Sequence, residues 1–250
     1  MRKQYVASIL AALLSAVPAL VQGETVPKTF TDNFNRDNTP SPGGGLGSDW
    51  DITGSIFLNS NVAKTQNTGA HFALYNSVPL LDSFTIRADF NSQSNGRYGG
   101  ILFNYVDSNN YSLIRFNFAG ATTSTAWQFI ERIDGTSSTV SSGTIAAGAT
   151  QAKTWRALTL NSTDTAGQYT FTITNSTTGD TYVSQTITSA SQTISGQAGF
   201  YFDGDYIWAD NFAITTNVPP IPEPATVSLL LGSVFLAGAI IWRKRIATRR

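Results

Sequence analysis

Between residues 28 and 216 the chain reads as strands almost throughout, most clearly where apolar and polar positions alternate. In 83–91, Phe84, Ile86, Ala88 and Phe90 take one parity and Thr85, Arg87, Asp89 and Asn91 the other. That is the period of two required by a strand with one buried face. Tyr169, Phe171 and Ile173 alternate in the same way with Thr170, Thr172 and Thr174. Similar patterning predicts strands over 29–34, 52–58, 71–76, 99–106, 111–118, 126–134, 154–161, 181–187, 197–202 and 207–215. Turn chemistry separates them at Asn95-Gly96, Asp107-Ser108-Asn109-Asn110, Asp134-Gly135, Thr178-Gly179-Asp180 and Asp203-Gly204-Asp205. The Ser/Thr-rich stretches 122–125, 136–144 and 174–178 read as polar strand edges and loops, with glycan attachment as the alternative. No helical period interrupts the pattern. A dozen short strands in about 190 residues predict an all-β fold, a two-sheet antiparallel jelly-roll sandwich.

The two ends follow a different pattern. Met1-Arg2-Lys3, the apolar run 6–21 and the small-residue end Val21-Gln22-Gly23 predict a secretory signal peptide over 1–23. At the other end, 226–242 is 17 residues long, carries no charge and is followed at once by Arg243-Lys244-Arg245. It reads as a transmembrane helix, with the basic tail 243–250 in the cytoplasm and the domain 28–216 outside. A proline-rich linker, 217–225, joins the two.

Charge and composition narrow the chemistry. The chain has 16 basic and 16 acidic residues, but residues 24–222 hold nine basic against fifteen acidic ones, a net charge near −6. Nucleic acid is therefore not an expected partner, because no basic stripe is present to release phosphate counterions. With no cysteine there is no disulfide scaffold, no cysteine-ligated zinc and no cysteine nucleophile. His71 is the single histidine, so a Ser-His-Asp triad has one candidate base and a multi-histidine metal site has none.

Pro222-Glu223-Pro224, preceded by Val218-Pro219-Pro220-Ile221, followed by the apolar run and closed by the arginine-rich terminus, resembles the PEP-CTERM sorting signal of Gram-negative and related bacteria. In that family an exosortase, a membrane cysteine peptidase, recognises the tripeptide and cuts the precursor. Its hosts commonly make exopolysaccharide, biofilm or floc. The resemblance implies that Pro222, Glu223 and Pro224, with the flank Arg243, Lys244 and Arg245, are recognition residues of a substrate. It also implies exosortase as a partner and an inner-membrane precursor that later reaches the cell surface or extracellular matrix. Two prolines keep such a site extended and unpaired, as a peptidase requires.

Within the domain, Thr31-Asp32-Asn33-Phe34-Asn35-Arg36, Leu46-Gly47-Ser48-Asp49-Trp50, Gly99-Gly100-Ile101-Leu102-Phe103, Asn109-Asn110-Tyr111-Ser112-Leu113, Glu131-Arg132-Ile133-Asp134-Gly135, Gly199-Phe200-Tyr201 and Asp210-Asn211-Phe212-Ala213-Ile214 follow one another in order. This series resembles the concanavalin A-like lectin/glucanase superfamily, especially its laminin-G-like members. The resemblance implies pairing of the first and last strands, with Phe34 and Phe212 pointing inward. Trp50, Trp155 and Trp208 read as packing residues of the core or its rim. Sugar-cleaving members carry two glutamates flanking an aspartate on one strand. Here 28–216 contains Glu131 alone, and Asp134 sits at an odd spacing from it, on the opposite face of a strand. No Gly-x-Ser-x-Gly elbow accompanies His71. Catalysis is not expected, and a divergent hydrolase acting through Glu131 is the remote alternative.

Binding is the expected activity. With Phe84, Ile86, Ile101, Phe103, Ile114, Phe116 and Ile130 inside, the opposite faces present Arg87, Asp89, Asn104, Arg115, Asn117, Gln128 and Arg132. Planar amide, guanidinium and carboxylate groups of this kind hold sugars. Tyr98, Tyr105 and Tyr111 lie near the strand ends, where they can stack on a sugar. Extracellular polysaccharide is the expected ligand, and a matrix protein with no specific ligand is the competing reading. Asp32 and Asp210, adjacent if the end strands pair, are candidate ligands for a structural Ca2+, and Asp203-Gly204-Asp205 offers a second pair.

Overall fold

The computed structural model describes residues 26–40, 45–76, 78, 83–119, 125–146, 148–149, 151–190 and 196–218. The signal peptide 1–23, the linker beyond residue 218, the helix 226–242 and the tail 243–250 expected from the sequence lie outside them. Residues Pro27–Asn217 make up one compact unit. Its strands are β1 Val26–Asp32, β2 Trp50–Thr53, β3 Phe57–Leu58, β4 Ala63–Lys64, β5 Ala70–Tyr75, β6 Phe84–Ser92, β7 Tyr98–Asp107 and β8 Asn110–Asn117. They continue with β9 Thr125–Ile133, β10 Thr136–Ile145, β11 Arg156–Ser162, β12 Gln168–Asn175, β13 Thr181–Thr188, β14 Gln197–Asp203 and β15 Ile207–Val218. Among the described residues every regular element is a strand, and no helix is long and apolar enough to cross a membrane.

Two sheets pack face to face. One runs β13-β12-β11-β6-β15-β4-β3, with β1 paired to β15; the other runs β10-β9-β8-β7-β14-β5-β2. The first and last strands thus pair as expected, and Phe34 and Phe212 are buried. Rings from the two inner faces interlock. Trp50 lies 4.9 Å from Phe212, Trp127 lies 4.9 Å from Phe171 and Phe103 lies 5.0 Å from Tyr169. Each such pair adds about 1 kcal/mol to the area term of burying the rings. Trp50 belongs to the core, whereas Trp155 and Trp208, 6.3 Å apart, pack on each other at the half-buried rim.

The structure corrects two details of the pattern. The single strand expected over 52–58 is two, β2 in the seven-stranded sheet and β3 in the other. The chain changes sheets at Gly54, whose φ of 93° suits glycine and whose missing Cβ leaves room for the His71 imidazole. His71 Nδ1 accepts from the Ser55 N–H at 3.1 Å and Nε2 meets the Asn67 carbonyl at 3.0 Å, so the histidine clamps this crossover. The polar stretch 136–144 is the edge strand β10, joined to β9 by the two-residue turn Asp134-Gly135, both at positive φ. A bulge between Thr139 and Ser141 irregularises this edge against further pairing.

Candidate functional site

The outer face of the seven-stranded sheet has an apolar floor that the core does not use. Leu74, Leu102, Leu113 and Tyr201 cluster there, with Phe72, Tyr105, Tyr111 and Ile130 packed against them. Strand parity explains it: on β7, Ile101 and Phe103 point into the core, so Tyr98, Gly100 and Leu102 point out. Register aligns Leu74, Gly199, Leu102, Leu113 and Ile130 across five strands. The neighbouring row is Phe72, Tyr201, Gly100, Arg115 and Gln128.

Arg115 is the centre of that second row. Its Nε donates to Gln128 Oε1 at 3.0 Å and its Nη1 donates to Asp203 Oδ2 at 2.9 Å. The guanidinium lies over the Tyr98 ring, 4.3 Å from its centroid, and 6.0 Å from that of Tyr201. To reach Asp203 on β14 the side chain must pass over β7, and Gly100 is what lets it. A Cβ there would fall 2.5 Å from the Ile114 carbonyl oxygen and 2.8 Å from Arg115 Cβ. Burial, with Asp203 adding and Arg115 opposing, pushes the Tyr201 phenol up to about 12, so it remains a neutral donor. Tyr105 is raised too, by burial first and then by Asp107 and Tyr111. The Tyr105 and Tyr111 rings stack at 6.1 Å, and Phe72 lies 5.6 Å from Tyr105. Aromatic faces therefore stand beside an oriented guanidinium, an amide and a carboxylate.

Of the residues singled out from the sequence, Tyr98, Tyr111, Arg115, Asn117, Gln128 and Arg132 share this face. Asn117 is partly committed to structure, since its Oδ1 accepts from the Ala126 N–H at 2.9 Å. Three do not join them. Arg87 and Asp89 lie on the opposite side of the molecule, because β6 belongs to the other sheet. There Arg87 pairs with Asp89 at 3.2 Å and Asn211 donates to Asp89 at 3.1 Å. Asn104 is turned inward at a φ of 51°, is 4% exposed and donates to the Tyr169 hydroxyl at 2.9 Å. The bulge in the pairing of β7 with β8, between Phe103 and Asp107, accounts for that reversal. Ile130, expected inside, faces outward; Trp127 and Phe129 take the core side of β9. Tyr201, Asp203 and Gly100 complete the face without having been foreseen, though paired glycines within an alternating strand at Gly99-Gly100 are a sign of close approach.

The carboxylates expected to hold calcium are otherwise engaged. Asp32 accepts from Arg36 Nη1 and Nη2 at 2.7 and 2.8 Å, from Trp50 Nε1 at 2.7 Å and from the Phe34 N–H at 2.8 Å. Burial works to raise its pKa, but the bonds from Arg36, Trp50 and Phe34 outweigh it and hold the group below its ordinary value. Asp210 is raised, by burial first and by its neighbours Asp89 and Asp32, against the Asn211 N–H. Asp203 pairs with Arg115 and Asp205 with Arg97 at 2.5 Å. Among the described residues no group of three or more metal-ligating side chains comes together. A carboxylate whose acceptor positions are filled by four donors does not fit a calcium ion that needs six to eight oxygens. Glu131 is 1% exposed on the core side of β9, where the Ser189 hydroxyl and the Ala190 N–H bond to its two oxygens. Asp134 stands exposed on the following turn.

No family model matches the chain, and no curated protein matches its sequence. Solved structures do. The acidic lectin of winged bean, complexed with methyl-α-D-galactose, aligns at 10% identity over 77% of this chain and 99% of its own, with a TM-score of 0.55. The fold is that of the legume lectins. The same lectin-like sandwich recurs in the CBM2 module of the evolved Dit of Lactobacillus casei BL23 phage J-1, at 11% identity over 78% of this chain and 98% of that one, TM-score 0.53. It recurs again in the lectin of Bauhinia forficata in complex with GalNAc, at 11% identity over 76% and 98%, TM-score 0.51. At this identity the likeness is one of fold.

Proposed function

We propose that the chain is an exported protein, processed at Pro222-Glu223-Pro224 by an exosortase, whose lectin-like domain binds extracellular polysaccharide without cleaving it. The observation that carries the binding reading is Arg115. An arginine stretched over a glycine, braced by Gln128 and Asp203 and laid on Tyr98, is held ready before any ligand arrives, so little ordering entropy remains to be lost on binding. The apolar floor and the Tyr105–Tyr111 stack beside it suit the C–H faces of a sugar ring, and the polar groups suit its hydroxyls. The lectin fold supports this reading, as do the galactoside and GalNAc bound by two of the neighbours. Glu131 faces the core, away from this face, where the Ser189 hydroxyl and the Ala190 N–H bond to it, which favours binding over hydrolysis.

Co-sedimentation of the purified protein with a panel of bacterial and plant polysaccharides tests the proposal. Saturable retention is expected, unchanged by EDTA and accompanied by no release of reducing ends. Absence of retention across the panel, or retention that vanishes with EDTA, would count against it.

A further inference from the structure

Six arginines lie among the described residues. Arg36, Arg87, Arg97 and Arg115 pair with Asp32, Asp89, Asp205 and Asp203, and Arg156 donates to the carbonyls of Ala149 and Trp155. Arg132 has no ion pair with any described residue, and its Nε is shielded from solvent without a hydrogen-bond partner. The arginine is half-buried on the outer face of β9, in register with Tyr111, whose ring stacks on Tyr105. In a unit where acidic groups outnumber basic ones, an unpaired guanidinium beside the aromatic stack is the exception among the arginines.

We infer that Arg132 receives the carboxylate of an acidic sugar, so that the polysaccharide bound on this face is a uronate-containing one. The inference rests on the binding reading above and names the class of its ligand. Nε and one Nη of an arginine form a planar two-donor fork that matches the two oxygens of a carboxylate. The Nε–H that the folded chain leaves unpaired is shielded at rest, so the Arg132 side chain must turn outward for a ligand acceptor to reach and satisfy it. Arg132 and Gln128 are four residues apart on β9, about 13 Å at strand rise. A ligand that touches both Arg132 and the Arg115 cluster is therefore a chain of several sugars, with its acid group at the Tyr111 end. The unit's net charge is negative, so the recognition is a local contact rather than long-range attraction.

The test pairs each of three polyuronates (polygalacturonate, polymannuronate and hyaluronate) with its carboxyl-reduced neutral form and titrates both into the purified protein. At least one acid form is expected to bind about tenfold more tightly than its reduced partner, the worth of one charge-assisted contact. Arg132→Gln should bring that ratio close to one while leaving the thermal unfolding curve unchanged. Arg132→Lys should restore part of the preference. Equal binding of acid and reduced forms, or a preference that survives Arg132→Gln, overturns the inference and leaves polysaccharide binding standing. No binding of any form overturns both.

Discussion

Asp32 accepts four hydrogen bonds from three residues, whereas Asp210, on the strand paired with β1, sits near two other carboxylates with a backbone N–H as its bonded neighbour. The two should respond oppositely to pH. Asp32 titrates below 3.8 in the folded state, so its contribution is complete above the unfolded value and is lost as pH falls from about 4 downward. Asp210 titrates above its unfolded value, so its ionised form costs stability at neutral pH and protonation relieves that cost as pH falls through the raised pKa. Asp32→Asn is expected to lower stability at pH 7 by about 2 kcal/mol, roughly 6 °C in Tm, with the deficit shrinking toward pH 3. Asp210→Asn should be neutral or stabilising at pH 7. Urea unfolding of both variants from pH 7 to pH 3 distinguishes them, and equal losses would contradict this assignment.

At the scale of elements, alternation revealed where strands lie but not which sheet each joins. Phe84–Ser92 and Gln168–Asn175 were legible because every second residue is apolar. Period-two patterning fixes parity within a strand and carries nothing about its neighbours in space. That is why Arg87 and Asp89 grouped with Arg115 in the sequence yet lie on the opposite outer face, and why the strand expected over 197–202 gave no sign that it lies between β5 and β7 and brings Tyr201 and Asp203 to this face. β10 was hidden for another reason: as an exposed edge of serines and threonines it has almost no apolar parity to read. Asn104 fell to a bulge, which flips parity without a reliable signature in one sequence. Its inward bond to Tyr169 gives a clear expectation. Asn104→Ala should cost about 1–2 kcal/mol in chemical denaturation and leave polysaccharide retention intact; a loss of retention at full stability would return Asn104 to the binding face.

At the scale of the whole molecule the sandwich and the proposed sorting signal occupy different stretches of the chain. The unit Pro27–Asn217 carries its own core and its own candidate face, while the proposed sorting signal falls in the 29 residues that follow Ile221, beginning with Pro222-Glu223-Pro224. Recognition of that tripeptide by a peptidase should therefore be removable without touching ligand binding. Glu223→Ala is expected to leave the precursor in the membrane fraction of an exosortase-bearing host while the wild type is shortened and leaves it. Equal processing of both would remove the sorting reading. The binding face admits a sharper comparison, because the two sheets offer an internal control. Arg115 and Arg87 are both aspartate-paired arginines on outer sheet faces, one on each side of the sandwich. The decisive measurement is the retention isotherm of Arg115→Ala beside that of Arg87→Ala on whichever polysaccharide binds the wild type. Retention should fall at least about tenfold in Arg115→Ala and stay at the wild-type level in Arg87→Ala. Full retention in Arg115→Ala, or its loss in Arg87→Ala, would contradict placing the site on the seven-stranded sheet.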